Sequence, residues 1–67
     1  MTFDGVVMAF DEARGDGMLR DARGAEFYFH CVHIADRSRL VDAGAPVRAR
    51  RVVGLRGRDE AVDVVKL

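Results

Sequence analysis

The run Glu26-Phe27-Tyr28-Phe29-His30-Cys31, near the middle of the chain, decides the fold. Its aromatic residues suit a pleated, half-buried surface, so the run is predicted as a strand. Strict alternation sends Phe27, Phe29 and Cys31 to one side and Tyr28 and His30 to the other. The bulkier pair marks the core side: Phe27 and Phe29 point inward, and two neighbouring rings, Tyr28 and His30, face out.

Working outward, apolar residues recur at short intervals, and the breaks between them fall at glycines and at Pro46. That spacing suits short strands joined by turns. A first strand is expected over Phe3 to Phe10 and a second over Asp16 to Arg20, separated by the turn-like stretch Asp11-Glu12-Ala13-Arg14-Gly15. After the aromatic strand, Val32 to Gly44 has no strand pattern. Ile34, Leu40 and Val41 are expected to anchor it to the core through one helical turn ending near Gly44. Val47 and Ala49 alternate with Arg48 and Arg50 in a fourth strand, which Arg51-Val52-Val53 continues with a local irregularity, and Pro46 stands at its start, where the missing N–H does least harm. Gly54-Leu55-Arg56-Gly57 reads as a turn. A last strand follows over Ala61 to Val65, with Val62 and Val64 opposing Ala61, Asp63 and Val65. Five short strands and no long amphipathic helix give an all-β fold, a five-stranded antiparallel OB-type barrel, because closure removes exposed sheet edges.

With 67 residues the chain holds one domain, 1–67, with a modest core. No window is apolar for long enough to cross a bilayer, and the start Met1-Thr2-Phe3-Asp4 has no leader character, so the expected compartment is the cytoplasm. Cys31 is the only cysteine and there are two histidines, which leaves no disulfide and no zinc spacing. Basic and acidic residues number 11 each, so the global field does not draw in a polyanion. Arginines gather in the second half, at Arg37, Arg39, Arg48, Arg50, Arg51, Arg56 and Arg58, while Asp4, Asp11, Glu12 and Asp16 crowd the first quarter. A solvated mixed surface accounts for this better than a dedicated basic patch.

Catalysis finds no foothold. On a strand His30 and Cys31 point to opposite faces, which prevents a Cys–His nucleophilic pair. Asp59-Glu60 has no second acid placed opposite it, and Gly15-Asp16-Gly17 lacks the lysine and the helix start of a phosphate loop. Neither an enzyme nor a cofactor is expected.

Several strings, taken in order, resemble the bacterial cold-shock protein family over nearly the whole chain. Gly5-Val6-Val7-Met8-Ala9-Phe10-Asp11 is similar to G-x-V-K-W-F-N, Arg14-Gly15-Asp16-Gly17-Met18-Leu19 to K-G-F-G-F-I, and Phe27-Tyr28-Phe29-His30-Cys31-Val32-His33-Ile34 to V-F-V-H-F-S-A-I. Leu40-Val41-Asp42-Ala43-Gly44, Val47-Arg48-Ala49, Gly54-Leu55-Arg56-Gly57 and Ala61-Val62-Asp63-Val64 continue the match. The resemblance implies the cold-shock-domain fold and binding of single-stranded DNA or RNA, with outward rings of the second and third strands stacking on bases.

Carried over by position, the implied site comprises Met8, Ala9, Phe10, Asp16, Met18, Tyr28, His30 and Cys31. Tyr28, His30 and Phe10 keep rings, with Met18 beside them, while Arg14, Arg20 and Arg56 stand where phosphate contacts are expected. Four family aromatics are replaced: tryptophan by Ala9, and phenylalanine by Asp16, Met18 and Cys31. Each lost stack is worth roughly 1–3 kcal/mol, so the implied binding is weak and has little sequence preference. The alternative is an OB-fold module that has lost nucleic-acid binding and meets a protein partner, or a second copy of itself, through the Met8, Met18, Tyr28 face.

Overall fold

Each of the first two turns begins with an aspartate that satisfies its own backbone. The Asp11 carboxylate accepts from the N–H groups of Ala13 and Arg14 at 2.9 and 3.1 Å. Asp21 does the same for Arg23 and Ala25, both at 2.9 Å. Such side-chain caps compete with the ladder for backbone donors and end a strand where they sit. In the computed structural model, which describes residues 2–36, 41–54 and 57–67, the caps delimit β1 (Thr2–Asp11), β2 (Asp16–Asp21) and β3 (Glu26–His30). A 3₁₀ turn, Cys31–His33, follows, and then β4 (Pro46–Val53) and β5 (Asp59–Lys66).

The five strands close in the order β1-β2-β3-β5-β4, an all-β barrel as the periodicity implied. All pairings are antiparallel except the short one between β3 and β5, where Tyr28 meets Glu60 in parallel. A parallel bridge of Ile34 with Val64 and a 2.7 Å bond from Ala35 N–H to the Val64 carbonyl extend that seam. The long connection thereby helps close the barrel. Ile34 and Val41 are buried, as expected of anchors, while Leu40 lies outside the described residues. The helical turn expected near Gly44 is not formed over 41–44; the chain makes a turn there, with Ala45 N–H bonded to the Asp42 carbonyl and Gly44 at φ +90°. Among the described residues of the connection a 3₁₀ turn lies at its start, and 37–40 lie outside them.

Val7, Leu19, Phe27, Phe29, Ile34, Val47, Ala49, Ala61 and Val64 form the core. Two extra residues decide which side chains join them. On β1 the register steps from Val7↔Leu19 to Ala9↔Met18, so Met8 is an inserted residue. On β5 it steps from Arg48↔Val65 to Arg50↔Val62, and Asp63 there takes φ +53°. A bulge reverses the inside–outside alternation beyond it. Ala61 and Val64 therefore both face inward, where unbroken alternation had put them on opposite sides. The irregularity expected at Arg51-Val52-Val53 falls instead opposite Ala49, with its extra residue on β5.

The same reversal on β1 turns Ala9 outward and Phe10 inward. Phe10 stacks on Phe29 with ring centroids 5.8 Å apart, and in register Gly17 lies between the two on β2. A Cβ at Gly17 would run into the Ala9 carbonyl oxygen and sit 3.1 Å from the Phe10 ring. The bare position is what admits both rings. Gly17→Ala is expected to destabilise the domain by about 1–3 kcal/mol, a fall in Tm on the order of 10 °C by circular dichroism; an unchanged Tm would mean that β1 and β2 do not approach this closely.

Candidate nucleic-acid interface

The register of β1, β2 and β3 arranges outward side chains in three rows. Asp11, Asp16 and His30 form one, Ala9, Met18 and Tyr28 the next, and Val6, Arg20 and Glu26 the third. The middle row continues through Tyr28 to Glu60 on β5. Tyr28 and His30 are half-buried and outward, as alternation requires, with Met18 beside Tyr28. Ala9, Phe10, Asp11, Glu12, Arg14, Asp16, Gly17, Met18 and Tyr28 line an open hollow of about 480 Å³. Four of the expected binding residues, Phe10, Arg14, Met18 and Tyr28, thus meet on the wall of one concavity, and His30 stands in register with Asp16 outside its lining.

Not every expected role survives in the form anticipated. Phe10 gives one side to Phe29 and only part of its ring to the hollow. Cys31, expected among the altered face residues, is 8% exposed and belongs to the core. The 3₁₀ turn that starts at Cys31 also ends strict alternation, so the thiol lies 3.7 Å from His30 Nδ1 rather than across the sheet. That nitrogen accepts the Val32 N–H at 3.2 Å, capping the turn. With Nδ1 in that role and the sulfur buried, the pair is a packing contact rather than a nucleophile and its base. Arg56 lies outside the described residues.

The two described arginines expected at phosphates are already occupied. Arg14 places Nε and one terminal nitrogen on Asp16 Oδ1 at 3.0 and 2.9 Å, and Arg20 bonds Glu26 at 2.8 Å. In the second half, Arg48 is paired with Asp4, Arg50 with Asp63 and Arg51 with Asp59. The surface expected from the even charge count is therefore a patchwork of ion pairs. The Arg20, Arg48, Arg50 and Arg51 pairs are exposed and individually weak, so a phosphate can replace a carboxylate partner there at small cost. Sequence reasoning passed over one cation: the Arg58 guanidinium lies over the Tyr28 ring, 4.2 Å from its centroid. Only the parallel β3–β5 seam brings them together, and nothing local in Arg58-Asp59-Glu60 signals it.

Asp16 links the cluster. Its Oδ2 accepts the Tyr28 hydroxyl at 2.9 Å while Oδ1 holds Arg14, and the side chain keeps only 15% exposure. The Arg14 hydrogen bonds hold this carboxyl below the usual carboxylate range; burial opposes them, and the Tyr28 hydroxyl adds a lesser lowering. Bonding to Asp16, helped by burial and by the carboxylate charge, pushes the Tyr28 phenol above its ordinary value, with Arg58 opposing. The lowered acid stabilises the fold above its unfolded pKa and loses that contribution as pH falls through the folded one. The raised phenol stabilises below its unfolded pKa and loses its contribution as pH rises through the folded one. Tyr28 is the one tyrosine in a chain without tryptophan. Ultraviolet titration should therefore give a midpoint above about pH 10, and Asp16→Ala should lower it toward the ordinary value. An unmoved midpoint would show that the hydroxyl does not donate to Asp16.

No protein-family profile matches the chain, and no curated protein matches it. Among solved structures, 46 chains match. One is the Drosophila Unr CSD456 structure, 26% identical, with a TM-score of 0.81 over the whole of this chain. This chain spans 27% of the length of that one. The likeness is to a eukaryotic protein, so it supports the fold that the strings implied and leaves the bacterial affiliation as a resemblance. The five-stranded closed barrel described above is a cold-shock-domain fold.

Proposed function

We propose that this barrel binds single-stranded DNA or RNA weakly and with little sequence preference, on the outer face of β2 and β3. One observation carries the reading: the Tyr28 ring, Met18 and the exposed part of Phe10 meet at one hollow on the face where the fold's relatives are expected to stack bases. Stacking on a π-face discriminates little among bases. His30 extends the same outward row of β3. Arg20 supplies a phosphate contact by exchanging its Glu26 partner, Arg14 supplies one through the terminal nitrogen that does not bond Asp16, and Arg56 is assigned the same role from its sequence position.

The weakness has structural causes. Ala9 offers no ring beside Met18. Tyr28 already carries a guanidinium on its face, so a base either displaces Arg58 or stacks on the guanidinium plane, a surface that itself accepts bases. Asp11, Glu12 and Asp16 line the hollow together with a single described arginine, Arg14. With two arginines contacting phosphates, the logarithm of affinity should fall with the logarithm of salt at a slope of roughly −1 to −2.

The competing reading, a protein partner or second copy on the Met8, Met18, Tyr28 face, keeps an exposed Met8 at 41%. It loses Cys31 to the core and the open face of Tyr28 to Arg58. A base can still stack on the guanidinium plane, so the nucleic-acid reading is preferred.

Short mixed-sequence single-stranded DNA and RNA, titrated at low salt and followed by NMR, should shift Tyr28 and His30. Silence at both residues up to high micromolar ligand would overturn the proposal. Ala9 is exposed and stands in register with Met18, so Ala9→Trp should tighten binding by about tenfold or more, the equivalent of one regained stack.

A further inference from the structure

Resting on that reading, one residue of the face does more than weaken it. A carboxylate stands at Asp16 on the wall of the hollow where a base would lie, and its surroundings fix what it can still accept. An ionised carboxylate offers about four acceptor positions. Arg14 fills two at Oδ1 and Tyr28 one at Oδ2. One position remains, on Oδ2, at a side chain that lines the hollow and is not fully covered. Tyr28 supplies the aromatic surface beside it.

We infer that Asp16 selects, at one nucleotide of the bound strand, a base carrying an exocyclic amino group. The remaining acceptor matches a single N–H donor. Cytosine N4 and adenine N6 each present such a donor on the edge of the ring. Uracil and thymine present carbonyl oxygens at the same edge, and those oxygens flank their one ring N–H, so the carboxylate meets repulsion on either side of it. The two acceptor positions taken by Arg14 prevent the bidentate grip that a free carboxylate would give guanine. Arg14 also neutralises the charge of Asp16, which lets a polyanion approach a surface that a bare acid would repel.

The preference is therefore a single charge-assisted hydrogen bond at one position on an otherwise sequence-tolerant face. Stacking fixes how strongly the strand is held, and Asp16 biases which base occupies the hollow.

Oligo-dC and oligo-dU share a backbone and a pyrimidine ring, and differ at the reading edge. At neutral pH and low salt, oligo-dC should bind roughly three- to tenfold more tightly than oligo-dU, the share of a charge-assisted bond left after partial solvent exposure. Asp16→Ala should bring the two affinities together. An oligonucleotide of N4,N4-dimethylcytosine, which lacks the donor and leaves the protein untouched, should fall to the oligo-dU level even if the variant folds poorly. Equal binding of oligo-dC and oligo-dU, or tighter binding of oligo-dU, would overturn the selectivity while leaving the proposed function standing. Binding of neither would overturn both.

Discussion

The close approach of β1 to β2 at Gly17 is the constraint on which the rest of the molecule depends. There the Ala9 carbonyl comes so near that no side chain fits, and the freed space is filled from either side by Phe10 and Phe29. The inserted residue at Met8 makes this possible, because it turns Phe10 inward without moving Val7 out of the core. It has a second effect one residue earlier. Ala9 is turned out and takes its place beside Met18 and Tyr28. Core packing and the composition of the outer face are thus set by one local event, since a strand that gains a residue exchanges its faces from that point on.

The outer face is balanced by pairing rather than by distance between charges. Arg14 turns back over β2 because the Asp11 cap and Gly15, at φ +77°, shape the turn between β1 and β2. It meets Asp16 there, and Tyr28 adds its hydroxyl from β3. A carboxylate that would otherwise make the face hostile to phosphate becomes a charge-paired, hydrogen-bonded fixture. Cys31 N–H donates to the Gly15 carbonyl at 2.7 Å, so the end of β3 is tied to the same turn. The residues of the hollow are held from both sides by backbone, and a ligand meets a largely formed surface.

Much of this was legible in the sequence. Alternation in Phe27-Tyr28-Phe29-His30 placed two rings in the core and two outside, and the barrel holds them so because a half-buried strand has a single register that keeps its large rings dry. The succession of strands along the chain and the breaks near Asp11 and Gly24 were also readable, since turn-forming side chains and positive-φ glycines act within a few residues of themselves. The two bulges were not. Met8 and Asp63 carry no mark that distinguishes an inserted residue from a paired one, and with them went the placement of Phe10 and the shared inward face of Ala61 and Val64. Cys31 was placed on the face only by the carried-over family positions; alternation with Phe27 and Phe29 had put it inside, where it is buried.

Arg58 shows the other limit. Its neighbours in sequence are Gly57 and Asp59, and its partner is a ring thirty residues away in sequence, reached across a parallel seam of a single paired residue. Pairings of that kind arise from barrel closure, and no local pattern encodes them. They matter here because the face is poor in rings. Where several aromatics share a platform, one arginine over one of them changes little; where Tyr28 is the principal ring, a guanidinium over it defines the surface a base would meet. Without rings at Ala9, Asp16 and Met18, the charged groups Asp16, Arg14 and Arg58 set much of the character of this face, and they are the residues through which this barrel differs from an aromatic-rich one.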